Sequence, residues 1–301
     1  MNIKVRSYNW PDDYESVSKF LISTYKPGGK YPNWLQPRWE YMHYHPNLDR
    51  SLLNKVGIWE DNGGVVALTN FEDKLGYAYF SVYPDYSFLK EDMLEYAEST
   101  LYATNGVGEK YINVFINDFD KEFEMIAHEK GYCKNEEQPA FESSSRFEIS
   151  DPFPEIKVPE GFSLKSLADD NDLVKIDRVL WRGFNHPGEP PEGGIEDRKL
   201  MQSAPNFNKG LTIVVEEPEG DFVSFSGIWY VPESRIAYIE PVATDPDYRR
   251  IGLGKAAVLE CIRRCKELGA TVAFVESEQQ FYLDIGFELS FRRHMWSRSL
   301  S

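Results

Sequence analysis

The chain repeats itself. Segments of its first half return, in the same order, at offsets between 155 and 162 residues, which restricts the fold to one that a half-length unit can build twice. Met42, Pro46 and Asn47 recur as Met201, Pro205 and Asn206. Pro84-Asp85-Tyr86 recurs as Pro246-Asp247-Tyr248, and Gly131-Tyr132 as Gly286-Phe287. Each half opens on a strand-like segment (residues 3–6 and 162–165) followed by an amphipathic stretch with acids at its start, where a helix dipole favours them. A Pro/Gly-rich loop and a second helical stretch come next. A hairpin then turns on Asn62-Gly63 in the first half and on residues 218–221 in the second. A third strand, a helix, a strand, a helix and a closing strand complete each unit. This order predicts an α/β fold with a mixed sheet flanked by helices, built twice in tandem. Pro152, Pro154 and Pro159 interrupt any regular element, so the boundary is expected between residues 150 and 161, with domains at 1–150 and 151–301. Residues 143–150 resemble residues 292–300, giving the two units equal endings.

Composition narrows the function. Aromatic residues make up 15% of the 301, enough for two cores and incompatible with a disordered chain. A net charge of −16 repels phosphate backbones, so no nucleic-acid partner is expected, and it mildly favours cationic small molecules. No apolar run approaches the ~20 residues that span a bilayer, and the first residues carry no apolar core of a secretory signal. No membrane partner is expected, and a cytoplasmic location is. Three cysteines are too few for a disulfide framework. Cys261 and Cys265 lie one helical turn apart without a nearby His, and read as thiols rather than metal ligands.

Function should lie where the copies diverge. After the third strand, the second half reads Val242-Ala243-Thr244-Asp245-Pro246-Asp247-Tyr248-Arg249-Arg250-Ile251-Gly252-Leu253-Gly254-Lys255 and runs into a helix. A strand, a tight turn, two glycines one residue apart and a helix start make a cradle for a phosphate: glycine lets backbone amides approach an anion, and first-turn N–H groups carry the positive end of the dipole. Arg249, Arg250 and Lys255 add mobile positive charge. The matching first-half stretch, residues 82–99, has no glycine and places Glu91 and Asp92 at the helix start, where they would repel a diphosphate. The pattern is neither a Walker loop nor a dinucleotide fingerprint.

The spacing Arg249-x-x-Gly252-x-Gly254 resembles the Gln/Arg-x-x-Gly-x-Gly/Ala signature of the GNAT superfamily of N-acetyltransferases, and Phe281-Tyr282-Leu283-Asp284-Ile285-Gly286-Phe287 is similar to that family's Tyr-x-x-x-Gly-Phe. The resemblance implies a tandem pair of GNAT-like domains of which only the second holds acetyl-coenzyme A (acetyl-CoA). The loop amides of residues 249–255, Ile251 and Leu253 among them, would take its pyrophosphate. Backbone groups of Val242, Ala243 and Thr244 on a bulged strand would line its pantetheine arm. Pro241 supports the bulge independently, since a proline inside a central strand cannot donate to the ladder. Tyr282 would protonate the departing thiolate, a role open to a phenol of pKa about 10, or it packs as a core aromatic. Four residues before Gly131 the first half has Ala127 instead. Glu240, beside the bulge, reads either as the base that deprotonates the acceptor amine or as a carboxylate paired with a neighbouring arginine.

His186 sits on the loop between the first two helices of the second half and reads as solvent-exposed. Trp34, Trp39, Tyr41, Tyr44, His43 and His45 crowd the first-half equivalent, as a cluster that packs against a neighbouring domain or as a cage for a cation. No Gly-x-Ser-x-Gly supports a hydrolase. The expectation is an acetyl-CoA-dependent transferase without metal, acting on a small-molecule or peptide amine as monomer or homodimer. Its rivals are a coenzyme A (CoA) sensor without turnover and a transferase using a longer acyl donor or a hydroxyl acceptor.

Overall fold

A computed structural model describes residues 2–26, 34–135 and 141–300. Its contacts divide the chain into two units: Met1–His43, Asn47–Ser144 and Ser290–Ser301 form the first, and Tyr44–Pro46 and Ser145–Leu289 the second.

The first unit runs β1 (Ile3–Ser7), α1 (Tyr14–Thr24), α2 (Gln36–Tyr44), β2 (Gly57–Asp61), β3 (Gly64–Asn70), β4 (Tyr77–Val82), α3 (Lys90–Thr100), β5 (Ala103–Thr104), β6 (Lys110–Asn117), α4 (Lys121–Glu129), β7 (Cys133–Lys134) and the start of β8 (Phe141–Glu148). β1 to β4 pair antiparallel in sequence order, with Asn62 and Gly63 at positive φ in the β2–β3 turn, the conformation that a two-residue hairpin turn of that kind needs. β6 lies parallel to β4, paired only through Tyr77–Ala78.

The second unit takes the remainder of β8, then β9 (Ser163–Ser166), α5 (Leu173–Gly183), α6 (Gly194–Gln202), β10 (Ile213–Glu216), β11 (Phe222–Val231), β12 (Ile236–Thr244), α7 (Leu253–Glu267), β13 (Val272–Val275) and α8 (Gln280–Ile285). The chain's last strand, β14 (Glu288–Leu300), belongs from Ser290 onward to the first unit, where it runs antiparallel to β6 from Arg293 opposite Asn117 to Leu300 opposite Lys110. In the second unit β9, β10, β11 and β12 are antiparallel neighbours, β13 is parallel to β12, and residues 145–148 close the sheet against β13. The two sheets thus repeat one plan, including a single parallel step at the equivalent place.

Sequence periodicity accounts for the helices on the second sheet. Asp172 caps α5 by accepting from Val174 N and Lys175 N at 2.9 and 3.1 Å, and Ile176, Val179 and Leu180 form its buried stripe. α7 buries Ala256 and Ala257, and Ala257 lies in one cluster with Ile228 and Ile239 of the sheet. Small side chains let that helix lie close to the strands, and each larger aliphatic side chain it buries contributes about 1.5–3 kcal/mol. Burial pushes the Cys261 thiol up to about 12, with its Sγ–H donating to Ser226 O at 3.2 Å. No helix among the described residues is long and apolar enough to cross a membrane.

Of the aromatic run, Trp34, Trp39 and His43 are core, while Tyr41, Tyr44 and His45 are half-buried. Trp34 and Trp39 are buried, and the cation over Trp34 is the protein's own Arg38, 4.0 Å from the ring centroid. Arg38 in turn donates to both oxygens of Glu72 and both of Glu142. His43 uses both ring nitrogens, Nδ1 with Trp39 O at 2.8 Å and Nε2 with the Tyr8 hydroxyl at 3.0 Å. Burial holds it neutral, down to about 3.

Candidate active site

β12 and β13 pair only from Ile236 to Tyr238, opposite Val272 to Phe274. From Ile239 onward the two strands part, and a cavity of about 900 Å³ opens between them. Its lining includes Glu240, Val242, Ala243, Thr244, Arg249, Arg250, Gly252, Leu253, Gly254, Lys255 and Tyr282. Of the residues that the sequence puts forward for donor binding and catalysis, Ile251 alone lies outside that lining. It borders a second depression beside α7.

The wall formed by β12 is bulged. Ser226 pairs with Val242 and Ile228 with Ile239, so Gly227 alone faces both Glu240 and Pro241. A Cβ at Gly227 would stand 2.3 Å from Glu240 O and 2.9 Å from Pro241 Cδ, so the strands meet this closely only because glycine is there. The indole of Trp229 donates to Glu240 O at 3.1 Å, and the Tyr238 hydroxyl donates to Glu240 Oε2 at 3.2 Å. Backbone and carboxylate of Glu240 are thus each held by a neighbour on the sheet. A lone glycine in a strand pattern signals such a bulge, and Gly227 could have been read that way. The Trp229 contact depends on cross-strand register and has no local signature.

At the far end of β12 the chain turns through a short 3₁₀ turn (Pro246–Tyr248), with Asp245 capping Asp247 N at 3.0 Å. It passes Arg250 and Gly252 at φ of +66° and +96° and enters α7. The first intrahelical bond runs from Ala256 N to Gly252 O at 3.0 Å, and no acceptor among the described residues reaches the N–H groups of residues 250 to 255. Such a row of unpaired amides at a helix start is a site for an anion. A Cβ at Gly254 would come within 2.9 Å of Thr244 Oγ1 and 3.2 Å of the Phe281 ring, which fixes how near the helix start lies to the strand end.

The positive charges differ in freedom from what the sequence suggests. Arg249 is engaged by backbone carbonyls: its Nε donates to Thr244 O at 2.9 Å and its Nη2 to Gly183 O at 2.7 Å, bracing the loop against the end of α5. Lys255 Nζ donates to Asp284 O at 3.1 Å. Asp245 is gripped by Arg182, which also reaches Asp247 at 2.7 Å.

Tyr282, on α8, is buried with its ring edge-on to Phe281 and Phe287 at 4.9 and 5.7 Å. Burial, and then the Glu240 carboxylate, hold its phenol well above the ordinary value, so it keeps its proton. His186 stacks on Trp181 at 4.3 Å, exposed and away from the cavity lining.

Among its described residues the first unit lacks these features. Its β3–β4 pairing runs without a shift from Ala67–Val82 to Asn70–Tyr79. The turn after β4 is a 3₁₀ helix (Pro84–Leu89) leading into α3, whose Lys90 is buried between Asp120 and Glu122 at 2.7 Å each. Beyond the β4–β6 pairing stands Tyr79, tilted against Trp34 at 4.4 Å, stacked on Phe115 at 4.8 Å and donating to Glu142 at 2.5 Å. Where the second unit has Tyr282, this one has buried Ala127.

Residues 174–287 match the acetyltransferase (GNAT) family. Over 145 residues the chain is 25% identical to the mycothiol acetyltransferase of Thermomonospora curvata, a match covering 48% of this chain. That match spans about half, 48%, of the length of the relative. Among solved structures, a tandem GNAT protein from the clavulanic acid biosynthesis pathway aligns over 99% of this chain and 98% of its own, with a TM-score of 0.61 and 13% identity. A GCN5-related N-acetyltransferase from Sphaerobacter thermophilus aligns over 99% and 95%, with a TM-score of 0.60 and 16% identity. At these identities the structural likeness concerns the fold, which over the whole chain is that of a tandem GNAT protein.

Proposed function

Starting from a chain with a GNAT-family domain across residues 174–287 and a tandem GNAT fold, we propose that the protein transfers the acetyl group of acetyl-CoA to a primary amine of a small molecule or peptide. The observation that carries this reading is the row of amides at residues 250–255, without protein acceptors, at the mouth of the cavity where β12 and β13 part. A diphosphate bound there is held by N–H groups and the helix dipole. The pantetheine arm then runs along the edge of Val242–Thr244 that no strand covers, and brings the thioester towards Glu240 and Tyr282.

The acceptor amine, largely protonated at neutral pH, loses its proton to the Glu240 carboxylate, directly or through water. Its nitrogen forms the new bond to the acyl carbon as the carbon–sulfur bond breaks, the nitrogen gives up its remaining extra proton to solvent, the thiolate takes the Tyr282 proton, and Glu240 releases its own proton to water. Solvent restores the phenol. A phenol with a raised pKa suits a thiolate that leaves inside the same enclosed site, because desolvation raises the proton affinity of both. The first unit has Ala127 at the position of Tyr282 and no glycine in residues 82–99, so the reaction is assigned to the second.

Titration calorimetry with CoA, followed by thiol-release assays on polyamines, amino acids, aminoglycosides and peptide N-termini, tests the reading. CoA uptake by the parent protein is expected, with its loss in Gly252→Val, which forces a branched residue into φ of +96°. No uptake by the parent overturns it. Uptake without thiol release on any acceptor favours the sensor.

A further inference from the structure

A second depression, of about 630 Å³, lies beside the cavity and shares Gly252 and Lys255 with it. One wall is Ile251, just before α7, together with Lys255, Ala256 and Leu259 on the first two turns of that helix. The other is the extended segment between β8 and β9, contributing Pro154, Val158 and Pro159, with Glu155 and Lys157 at the rim. Ile251 is 48% exposed, an aliphatic side chain presented to the groove at the very point where the anion loop passes into the helix.

We propose that this groove holds the adenosine 3′-phosphate half of CoA, so that the segment 154–159 is part of the donor site. The inference rests on the proposed function and extends it. A diphosphate on the amides of residues 250–255 has two ends. The pantetheine end enters the cavity between β12 and β13, and the nucleoside end leaves past Gly252 and Lys255, the two residues that border both spaces. The groove supplies what a purine and a phosphate monoester need. Pro154, Val158, Pro159 and Ile251 offer apolar surface to the two faces of a base, and Lys157 offers an ammonium at the rim. Lys157 is 79% exposed and meets Glu155, itself 76% exposed, at 3.2 Å. So exposed a pair contributes little, and its ammonium can turn to a phosphate. Glu155 works against the anion, which gives the proposal a second, opposite handle. Two prolines in the segment limit its backbone freedom, so the wall is formed before the nucleotide arrives.

Calorimetry on the full chain with CoA, 3′-dephospho-CoA and 4′-phosphopantetheine separates the parts. The parent binds CoA more tightly than dephospho-CoA. Lys157→Ala weakens CoA about three- to tenfold, the size of one charge-assisted bond near solvent, and leaves dephospho-CoA unchanged. Glu155→Gln tightens CoA. Val158→Asp weakens both nucleotides and leaves 4′-phosphopantetheine unchanged. Unaltered CoA binding in Lys157→Ala and Val158→Asp overturns the proposal, as does an equal loss for all three probes, which would mean that the segment acts only by supporting the loop. A parent protein that binds none of the three contradicts the proposed function itself, a result distinct from either.

Discussion

In the proposed transfer a proton donor to the leaving thiolate has to keep its proton until the bond breaks, and the state of Tyr282 suits that role: buried, beside a carboxylate, and with its phenol raised above the ordinary range. Because its folded-state pKa is higher than that of a free phenol, it stays protonated throughout the range in which the amine acceptor titrates, and no falling limb from Tyr282 is expected in the rate profile below about pH 10. Tyr282→Phe retains the ring contacts with Phe281 and Phe287 and removes only the hydroxyl. It should lower kcat by about 10²-fold, in line with the loss of a general acid, while the KM for acetyl-CoA stays within a factor of two to three. Steady-state kinetics with the best acceptor from the panel decides this, and an unchanged kcat would return Tyr282 to the role of a packing aromatic. Glu240 is engaged by two sheet neighbours, its carbonyl by Trp229 and its carboxylate by Tyr238. A positioned carboxylate of this kind can receive a proton without having to rotate into place.

At the scale of elements, the bulge on β12 and the loop into α7 form one device, since the strand that bends at Glu240–Pro241 is the strand that delivers Thr244 to Gly254 and Arg249. Gly227→Ala tests the bulge. The added Cβ meets a backbone carbonyl at 2.3 Å, which no side-chain rotation relieves, so the variant should lose about 1–3 kcal/mol of stability, the usual cost of overpacking. Its affinity for CoA should fall as Val242–Thr244 shift. Chemical denaturation and calorimetry on the same variant check both, and a variant as stable and as tight as the parent would show that the strands separate easily at this point. Much of this device could be read from the sequence. Pro241 marked the bulge, and Gly252 with Gly254 marked the loop, because proline and glycine impose backbone conformations that need no knowledge of partners. What escaped was what depends on partners: that Gly227 is the residue facing the bulge, that the guanidinium of Arg249 braces Thr244 and Gly183, and that residues 154–159 wall a groove along α7. Each requires knowing which residues lie across a sheet or along a helix, which a spacing pattern does not record. The aromatic run around Trp34 and Trp39 was visible as a cluster, but its cation, Arg38, lies within the run itself and is held there by Glu72 and Glu142, far away in sequence.

Across the molecule, the repeat that was plain in the sequence conceals an exchange at its end. Residues 143–150 and 292–300 resemble each other, so nothing local tells which sheet each will join. Yet residues 290–300 complete the sheet begun by the first residues of the chain, and residues 145–148 close the other. The first unit therefore relies on side chains encoded close to 300 positions from its first strand: Phe291 and Trp296 are buried in it, and Arg293 meets Glu142 at 3.2 Å. Removing Ser290–Ser301 takes away two large buried aromatics, each worth about 3–5 kcal/mol when truncated, along with an entire ladder against β6. That sum is comparable with the 5–15 kcal/mol that typically separates a folded domain from its unfolded state, so the first unit should not stay folded. Trp10, Trp34, Trp39 and Trp59 report on that unit, while Trp181 and Trp229 lie in the second. The truncated chain should accordingly show red-shifted tryptophan emission already in the absence of denaturant. CoA should still titrate into it, because the amides of residues 250–255, the bulge and Tyr282 all lie within residues 145–289. Emission matching the parent would mean that the sheet of the first unit holds without β14. Red-shifted emission with retained CoA uptake would place folding of the first unit and anion recognition by the second under separate control, in a chain whose two halves follow the same plan.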